Sequence, residues 1–368
     1  MTKIKTFIKN EIVLIISFIL ASASAFIVKP NADYISYIDF RTISLLFCLM
    51  AIIAGFNKLG IFKMLASKLL CFASDSRTLC LILSLLCFFS SMIITNDVAL
   101  ITFVPFSVII LNLSGKTQLM IPLVTLETVA SNLGSMLTPI GNPQNLFLFS
   151  SFKMQASEFF KILLPYALLS LILTVVSTFF VKKEKLELPS ESKTEKPKVT
   201  LCAVYSVLFA AALLTVFRVI PFEITLAVSV IAILIFDRNT LLKVDYSLLL
   251  TFAFLFIFIG NLKNIAPVNS FLRSIVNGNE VIAGILSSQI ISNVPAAILL
   301  SSFTSNIPDL LIGVNLGGLG TLIASMASLI SFKYVIKENI SASRYLLVFT
   351  AVNIIYLAFN LVLRILIK

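Results

Sequence analysis

Long apolar runs are the feature of this chain that limits its fold most. They recur from Ile12–Val28 near the start to Tyr345–Ile367 near the end, and about 20 residues of helix cross the hydrocarbon core of a bilayer. Hydrophobic residues make up 59% of the sequence and charged residues only 12%. The sequence therefore predicts an all-α polytopic membrane protein with about nine full spans and two re-entrant hairpins.

The charged residues indicate how the chain is oriented in the bilayer. Of the 28 Lys and Arg residues, 19 fall in loops that a cytoplasmic N-terminus would place inside the cell, as the positive-inside rule requires. We therefore predict a multi-pass protein of the cytoplasmic membrane with its C-terminus outside. The net charge of +11 needs no nucleic-acid partner, because the basic residues form no stripe on a soluble module.

The composition also excludes several kinds of active site. The chain has no histidine, which removes Ser-His hydrolases and most zinc sites. Its five cysteines show no metal-binding spacing and are interpreted as small packing residues. We therefore expect no cofactor.

The stretch Asn132–Asn145 interrupts an apolar run with two glycines, two prolines and four side-chain amides. A continuous helix cannot pass through it, because proline removes a backbone donor and glycine lowers helix stability. The second half contains a counterpart, Asn315–Ile323, which aligns without a gap to Asn132–Ile140. At membrane depth a broken helix is tolerated only against protein or a water-filled cavity, so both breaks are candidate binding sites.

Two further apolar stretches are divided by short polar tips. Thr95-Asn96-Asp97 divides residues 79–111, and Ser292-Asn293 divides residues 281–303. Each arm of the second stretch is about 18 Å long as a helix, too short to cross, which predicts a re-entrant hairpin. The arms of the first stretch are long enough for two full spans, but symmetry favours a hairpin there as well.

The order of these features repeats along the chain. Asp39-Phe40 and Asp245-Tyr246 each precede an apolar run, after which a polar tip and a broken helix follow. The predicted organisation is a first repeat at 1–181, a cytoplasmic charged linker at 182–199, a connecting transmembrane helix at 200–221 and a second repeat at 222–368. Because that single extra helix changes side, the repeats would be inverted, as in many secondary transporters.

The tips and the breaks supply the candidate site residues. Their hydroxyl and carbonyl oxygens suit hard cations, with backbone carbonyls added after Asn132 and Asn315, whereas amide donors and helix N-termini suit an anion. Asp97 and Glu127 lie deep in apolar sequence, where an acid that binds a cation or carries a proton is expected. The alternatives are that lone Ser, Thr and Asn residues only join helices, and that Glu127 is a paired structural acid.

Paired Ser/Thr-Asn tips, each followed by Asn-Leu-Gly-x-x-x-Thr-x-Ile, resemble the ion transporter superfamily over nearly the whole chain. That group includes citrate transporter-like permeases, divalent-anion:sodium symporters, arsenite permeases and sodium/proton antiporters. The resemblance implies one cation site at Thr95, Asn96, Asn132 and Gly134, and a second at Ser292, Asn293, Asn315 and Gly317. It implies substrate contacts from Asn96, Asp97, Thr138, Asn293 and Thr321.

One position departs from the dicarboxylate symporters, whose two tips read Ser-Asn-Thr. The third positions here are Asp97 and Val294, and an aspartate would repel a substrate carboxylate. The tip Thr-Asn-Asp and the motif Gly-Asn-Pro-Gln-Asn resemble the arsenite-permease branch more closely. Asp97 therefore bears on both the coupling ion and the charge of the substrate.

The resulting prediction is a secondary transporter that moves a small anion, such as citrate or a dicarboxylate, by alternating access. Transport would be coupled to Na⁺ or H⁺, and the resemblance implies a homodimer. The alternatives within the superfamily are an arsenite or oxyanion permease and a Na⁺/H⁺ antiporter. An intramembrane enzyme is a remote alternative, because an aspartyl protease needs two facing intramembrane aspartates and only Asp97 qualifies.

Overall fold

The computed structural model describes residues 11–70, 72–186, 197–338 and 340–367. The N-terminal lysines, Cys71 and most of the predicted linker lie outside this range. Across the described residues the chain is helical, with a single isolated bridge between Asp75 and Lys185. Eight helices are long and apolar enough to cross a membrane, which confirms an all-α polytopic membrane protein.

The helices follow one another with short connections. Their bounds are α1 Ile12–Ile27, α2 Asp33–Tyr37, α3 Phe40–Lys58, α4 Ile61–Leu70, α5 Ser76–Ile94, α6 Asn96–Leu113, α7 Met120–Ser135, α8 Pro143–Ser151, α9 Ala156–Phe179, α10 Val199–Val216, α11 Phe222–Asp237, α12 Tyr246–Lys263, α13 Ala266–Val276, α14 Glu280–Ile291, α15 Asn293–Ser301, α16 Ile307–Leu316, α17 Met326–Ile336 and α18 Ala342–Ile367. The eight long helices include both arms of the first hairpin, α5 and α6, and leave out α1 and the pieces of the two broken helices.

In both polar tips the chain turns at a single residue, and the two residues share one unusual conformation. Thr95 has φ 71° and ψ 151°, and Ser292 has φ 72° and ψ 155°. A positive φ is uncommon for a residue with a Cβ, and one such residue between two helices reverses the chain sharply. The tip of the first hairpin contacts the break between α7 and α8, where the Asn96 backbone amide donates to the Gly141 carbonyl at 3.1 Å.

Two aspartates begin corresponding helices in the two halves. The Asp39 side chain caps α3 and the Asp245 side chain caps α12, with φ of −79° at both and ψ of 85° and 84°. Each carboxylate accepts from the backbone amide three residues later, which satisfies a donor that the helix leaves free. These matched details support related halves, and the inverted arrangement stays a prediction.

Polar contacts identify the two ends of the helix bundle. At one end Lys58 pairs with Asp237 at 2.6 Å, and Lys116 pairs with Glu184; we call this the basic end. The hydrogen bond from Lys116 lowers the pKa of the Glu184 carboxyl. At the opposite end Ser151 donates to Asp39 at 2.6 Å, and Arg364 pairs with Asp309.

The cap of α5 gives a first prediction, on stability. Asp75 accepts from the Thr78 amide at 2.9 Å, so Asp75→Ala should lower the free energy of unfolding by about 1 kcal/mol. The same hydrogen bond holds the pKa of Asp75 below its usual value. Its contribution is therefore present above about pH 3.9 and is lost as the pH falls through the lower, folded-state pKa. Thermal unfolding in detergent at pH 7 and at pH 3 measures both effects.

Asn caps a helix as well as Asp does but has no charge to titrate. Asp75→Asn should therefore keep most of the stability at pH 7 and lose less of it at pH 3. An Asp75→Ala protein as stable as the parent at pH 7 would contradict the capping role.

Candidate functional site

The two polar tips and the two helix breaks meet at one cavity, which we call the tip cavity. Four helices begin there, since the first residues of α6, α8, α15 and α17 all line it: Asn96, Pro143, Asn293 and Met326. The N-terminus of a helix carries roughly half a positive charge from the aligned peptide dipoles. Four such ends around one cavity favour the binding of negative charge.

Carboxylates line the same cavity. Asp97, Asp245 and Glu11 contribute to its wall, and no Lys or Arg is among the described residues that do. Asp97 is the last residue of the first tip and is half-buried, and its Oδ1 atom is buried without a hydrogen-bond partner. The cavity therefore combines positive helix ends with negative side chains, a setting that suits an anion and a cation together.

The first tip is fixed to the first break by its asparagine. Asn96 Nδ2 donates to Asn132 Oδ1 at 3.0 Å, and Ser131 Oγ donates to the Asn96 carbonyl at 3.0 Å. Asn96 is only 4% exposed, and its Oδ1 atom has no hydrogen-bond partner. A buried acceptor without a partner is costly, so a bound cation or a donor on the substrate would satisfy it.

A reciprocal set of hydrogen bonds joins the two breaks. Asn132 Oδ1 accepts from Ser325 Oγ at 3.0 Å, and Asn132 Nδ2 reaches Ser328 Oγ at 3.5 Å. Asn315 makes the matching pair with the first half. Its Oδ1 atom accepts from Asn142 Nδ2 at 3.2 Å, and its Nδ2 atom donates to Asn145 Oδ1 at 2.7 Å. Adding 183 to Asn132, Asn142 and Asn145 gives Asn315, Ser325 and Ser328, so each asparagine holds the same two positions of the other half.

Four of the predicted site residues, Thr138, Thr321, Gly134 and Gly317, make contacts outside the tip cavity. Thr138 Oγ1 donates to the Met92 carbonyl at 2.5 Å, and the Thr321 amide donates to Gln289 Oε1 at 2.9 Å. Neither threonine lines the tip cavity, so their predicted substrate contacts stay a prediction. Gly134 packs against the backbone of α5 at Phe88, and Gly317 packs against Ser288 on α14.

Ser292 and Asn293 line the tip cavity from the second hairpin, opposite Asn96. Ser292 Oγ lies 3.5 Å from the Ala324 carbonyl and 3.5 Å from Asn293 Oδ1. Thr95 holds the turn of the first tip and is half-buried. The structure thus brings the tip residues of both halves together, with Asn132 and Asn315 behind them.

Glu127 occupies a different place. It is fully buried on α7, where its Oε1 atom accepts from Ser107 Oγ at 2.5 Å and its Oε2 atom has no hydrogen-bond partner. It is not among the residues that line the tip cavity. The geometry places Glu127 between helices, and its role in carrying a proton or a cation stays a prediction.

Sequence reasoning missed several residues of this site. They are Asn142, Asn145, Asp245, Gln289, Ser325 and Ser328. Gln289 Nε2 donates to the Gly317 and Leu319 carbonyls at 2.9 Å each, and so holds the unwound backbone of the second break. The constant offset of 183 between the breaks is the signal that relates Ser325 and Ser328 to Asn142 and Asn145.

Comparison with known proteins gives a consistent result. The family model of the citrate transporters matches residues 6–313. The uncharacterized transporter MJ0456 of Methanocaldococcus jannaschii is 37% identical over 323 residues, which cover 87% of this chain and 88% of that protein. The inner membrane protein YbiR of Escherichia coli is 32% identical over 80% of both chains. The putative transporter arsB of Dictyostelium discoideum is 29% identical over 47% of this chain and 31% of its own length.

Proposed function

Because the chain belongs to the citrate transporter family, we propose that it is a secondary active transporter of the cytoplasmic membrane. It moves a small anion such as citrate or a dicarboxylate, coupled to Na⁺ or H⁺. The observation that carries this proposal is the convergence of four helix N-termini on the tip cavity. Their partial charges attract carboxylate groups although no Lys or Arg among the described residues lines the wall.

The carboxylates in the cavity support coupling to a cation. Asp97, Asp245 and Glu11 would repel a bare anion, since like charges in a poorly screened site oppose each other strongly. Na⁺ or H⁺ bound with the substrate removes this repulsion. The unpartnered oxygens of Asn96 and Asp97 are hard ligands suited to Na⁺. Coupling then follows from electrostatics, because the anion enters favourably only when the cation is bound.

Alternating access is proposed to move this site between the two sides of the membrane. The hydrogen bonds between the breaks tie α7 and α8 to α16 and α17, so the four helices can shift as one body together with the tips. A protein with inverted repeats binds its substrate where such broken helices meet. The predicted homodimer and the cytoplasmic N-terminus belong to this proposal.

A Na⁺/H⁺ antiporter is the second candidate, and Asp97 is the observation that favours it. No Lys or Arg among the described residues lines the tip cavity, and a carboxylate there with an unpartnered oxygen can bind either Na⁺ or H⁺. Such an exchanger would need no organic anion. Na⁺-driven proton movement in liposomes that contain no carboxylate substrate would indicate this function.

The test of the main proposal is uptake of labelled citrate and succinate into liposomes with an inward Na⁺ or H⁺ gradient. We expect saturable, gradient-dependent uptake by the parent. Asn96→Ala and Asn293→Ala should lower it by about ten- to a hundredfold, since each removes a polar contact from a desolvated site.

The matched control for this test is Asn360→Ala, which removes a buried asparagine outside the cavity that contacts Ser170 and the Tyr356 carbonyl. Its uptake per folded protein should stay within about threefold of the parent, because it leaves the site intact. Uptake that survives in both tip variants would refute the placement of the site. Parent protein that takes up neither carboxylate under either gradient would refute the proposed substrate class.

A further inference from the structure

A second cavity lies at the opposite end of the helix bundle. Its volume is about 600 Å³, and its wall includes Tyr37, Asp39, Ser151, Lys263 and Ser301. Ser151 and Asp39 belong to the contacts that define the opposite end. The tip cavity instead reaches Glu11 and Asp245, at the starts of α1 and α12, and the start of α12 follows the Lys58–Asp237 pair of the basic end.

The same three helices line both cavities. On α8, Pro143 and Gln144 line the tip cavity, whereas Phe147, Ser150 and Ser151 line the second cavity. The helices α12 and α15 divide in the same way. Their earlier residues line the tip cavity and their later residues line the second one, with Thr251 before Phe256 on α12, and Pro295 before Ile298 on α15. The two cavities therefore lie one above the other along one set of helices.

Aromatic rings fill the level between them. The rings of Phe147 and Phe256 lie 5.6 Å apart, and Phe252 packs on Phe256 at 6.0 Å. All three side chains are buried, with exposed fractions of 6% or less. Ring pairs at this separation pack favourably, and apolar rings offer a hydrated ion no ligand. They join α8, which carries part of the site, to α12.

We propose that the second cavity is the other entrance to the tip site, and that the Phe147–Phe256 pair closes the path between them. The inference rests on the proposed function, since only a transporter needs two entrances to one site. In this conformation the tip site communicates with the basic end. Separation of the two rings opens it toward Lys263 and the opposite end. Lys263 lines the second cavity and makes no hydrogen bond or ion pair through its side chain within the described residues, so its charge is available to attract an arriving anion.

The test is the reaction of single cysteines with a membrane-impermeant thiol reagent, in a protein whose five cysteines are replaced by alanine. Thr251→Cys reports on the tip cavity and Ser301→Cys on the second cavity. In vesicles of known orientation we expect Thr251→Cys to react faster from the side of the basic end, and Ser301→Cys from the other side. Adding Phe256→Ala should raise the reaction of Thr251→Cys from the opposite side by about tenfold, because removal of one ring of a packed pair shifts the closed–open equilibrium by that order.

The control for the gate is Phe159→Ala, which removes a fully buried ring that packs on Phe149 and lines neither cavity. It should leave the labelling pattern unchanged, and Phe147→Ala should reproduce the effect of Phe256→Ala. If Thr251→Cys reacts from the opposite side no faster in either ring variant than without the ring substitution, in protein that elutes as a folded species, the gate is overturned. Reaction of Ser301→Cys from the basic side alone would overturn the assignment of the second entrance.

These labelling experiments require no substrate, so they are independent of the uptake assay. A labelling pattern as expected with no carboxylate uptake would refute the proposed substrate and keep the path. Uptake as expected with Thr251→Cys equally reactive from both sides in the parent would refute the path and keep the function.

Discussion

Replacing Gly134 with alanine is expected to destabilise the transporter strongly. A Cβ atom at this position would lie 2.1 Å from the Phe88 carbonyl oxygen, 2.7 Å from its carbonyl carbon and 2.8 Å from Ser91 Oγ. The first two are backbone atoms of α5 and cannot rotate away. Relief requires α5 and α7 to separate, which disrupts their packing and displaces Asn96 from Asn132.

The expected loss is about 3 kcal/mol or more, at the upper end of the range for overpacking of a buried site. Because single domains are stable by only about 5–15 kcal/mol, such a loss removes a large fraction of the total stability. The yield of monodisperse protein in detergent and its thermal unfolding temperature measure the effect. Gly134→Ser should behave in the same way, because it adds the same Cβ.

Gly115→Ala is the matched control for this prediction. Nothing lies within 4 Å of a Cβ at Gly115, although its φ of 63° strains an alanine. The expected cost is about 1 kcal/mol, from backbone conformation alone. A Gly134→Ala protein as stable as Gly115→Ala would show that α5 and α7 tolerate a wider separation, and the close approach would then not explain the glycine.

This clash also gives Gly134 a physical role that differs from the one that the resemblance implied. The family pattern implies that Gly134 lines a cation site. The contacts show that the absence of a Cβ at Gly134 lets α7 approach the backbone of α5 closely. This close approach brings the tip against the break. The implied ligand role stays a prediction, since a backbone carbonyl at the break can serve both purposes.

The sequence was informative wherever the chain breaks for a local reason. Proline, glycine and amide residues predicted the break after α7, where Met136 to Asn142 separate α7 from α8. The polar tips at Thr95 and Ser292 interrupt apolar runs, and each forms a one-residue turn between two helices. The aspartate caps of α3 and α12 are likewise local signals. Such features depend on neighbours within about four residues, which a sequence displays directly.

The partners across the breaks could not be predicted in this way. Asn132 meets Ser325 and Ser328 only because two halves pack together, and composition carries no record of such a contact. Asp245 was interpreted as a repeat marker, yet it lines the tip cavity because α12 begins beside the first tip. For Glu127 the sequence leaves a coupling role and a structural role open, and only packing shows that it faces Ser107 whereas Asp97 lines the cavity.

Replacing Asp97 with asparagine is expected to uncouple transport from its cation. The substitution keeps the shape of the side chain and removes the one carboxylate that adjoins the tip in the cavity wall. Its oxygen has no hydrogen-bond partner, so the loss of charge leaves no other group unpaired. Uptake under an imposed Na⁺ or H⁺ gradient should fall by about ten- to a hundredfold, to the level seen without a gradient, as when a charged contact is removed from a desolvated site.

Glu127→Gln separates the two intramembrane acids in the same assay. Glu127 lies outside the cavity and accepts a hydrogen bond from Ser107, which a glutamine oxygen can also accept. If coupling depends on a carboxylate that meets the substrate, Glu127→Gln keeps its response to the gradient and Asp97→Asn loses it. The reverse result would place the coupling proton at Glu127, between helices, and would require the substrate and the proton to use separate sites. Loss of coupling in both variants would indicate that a proton passes between the two acids, because a single-site mechanism depends on Asp97 alone.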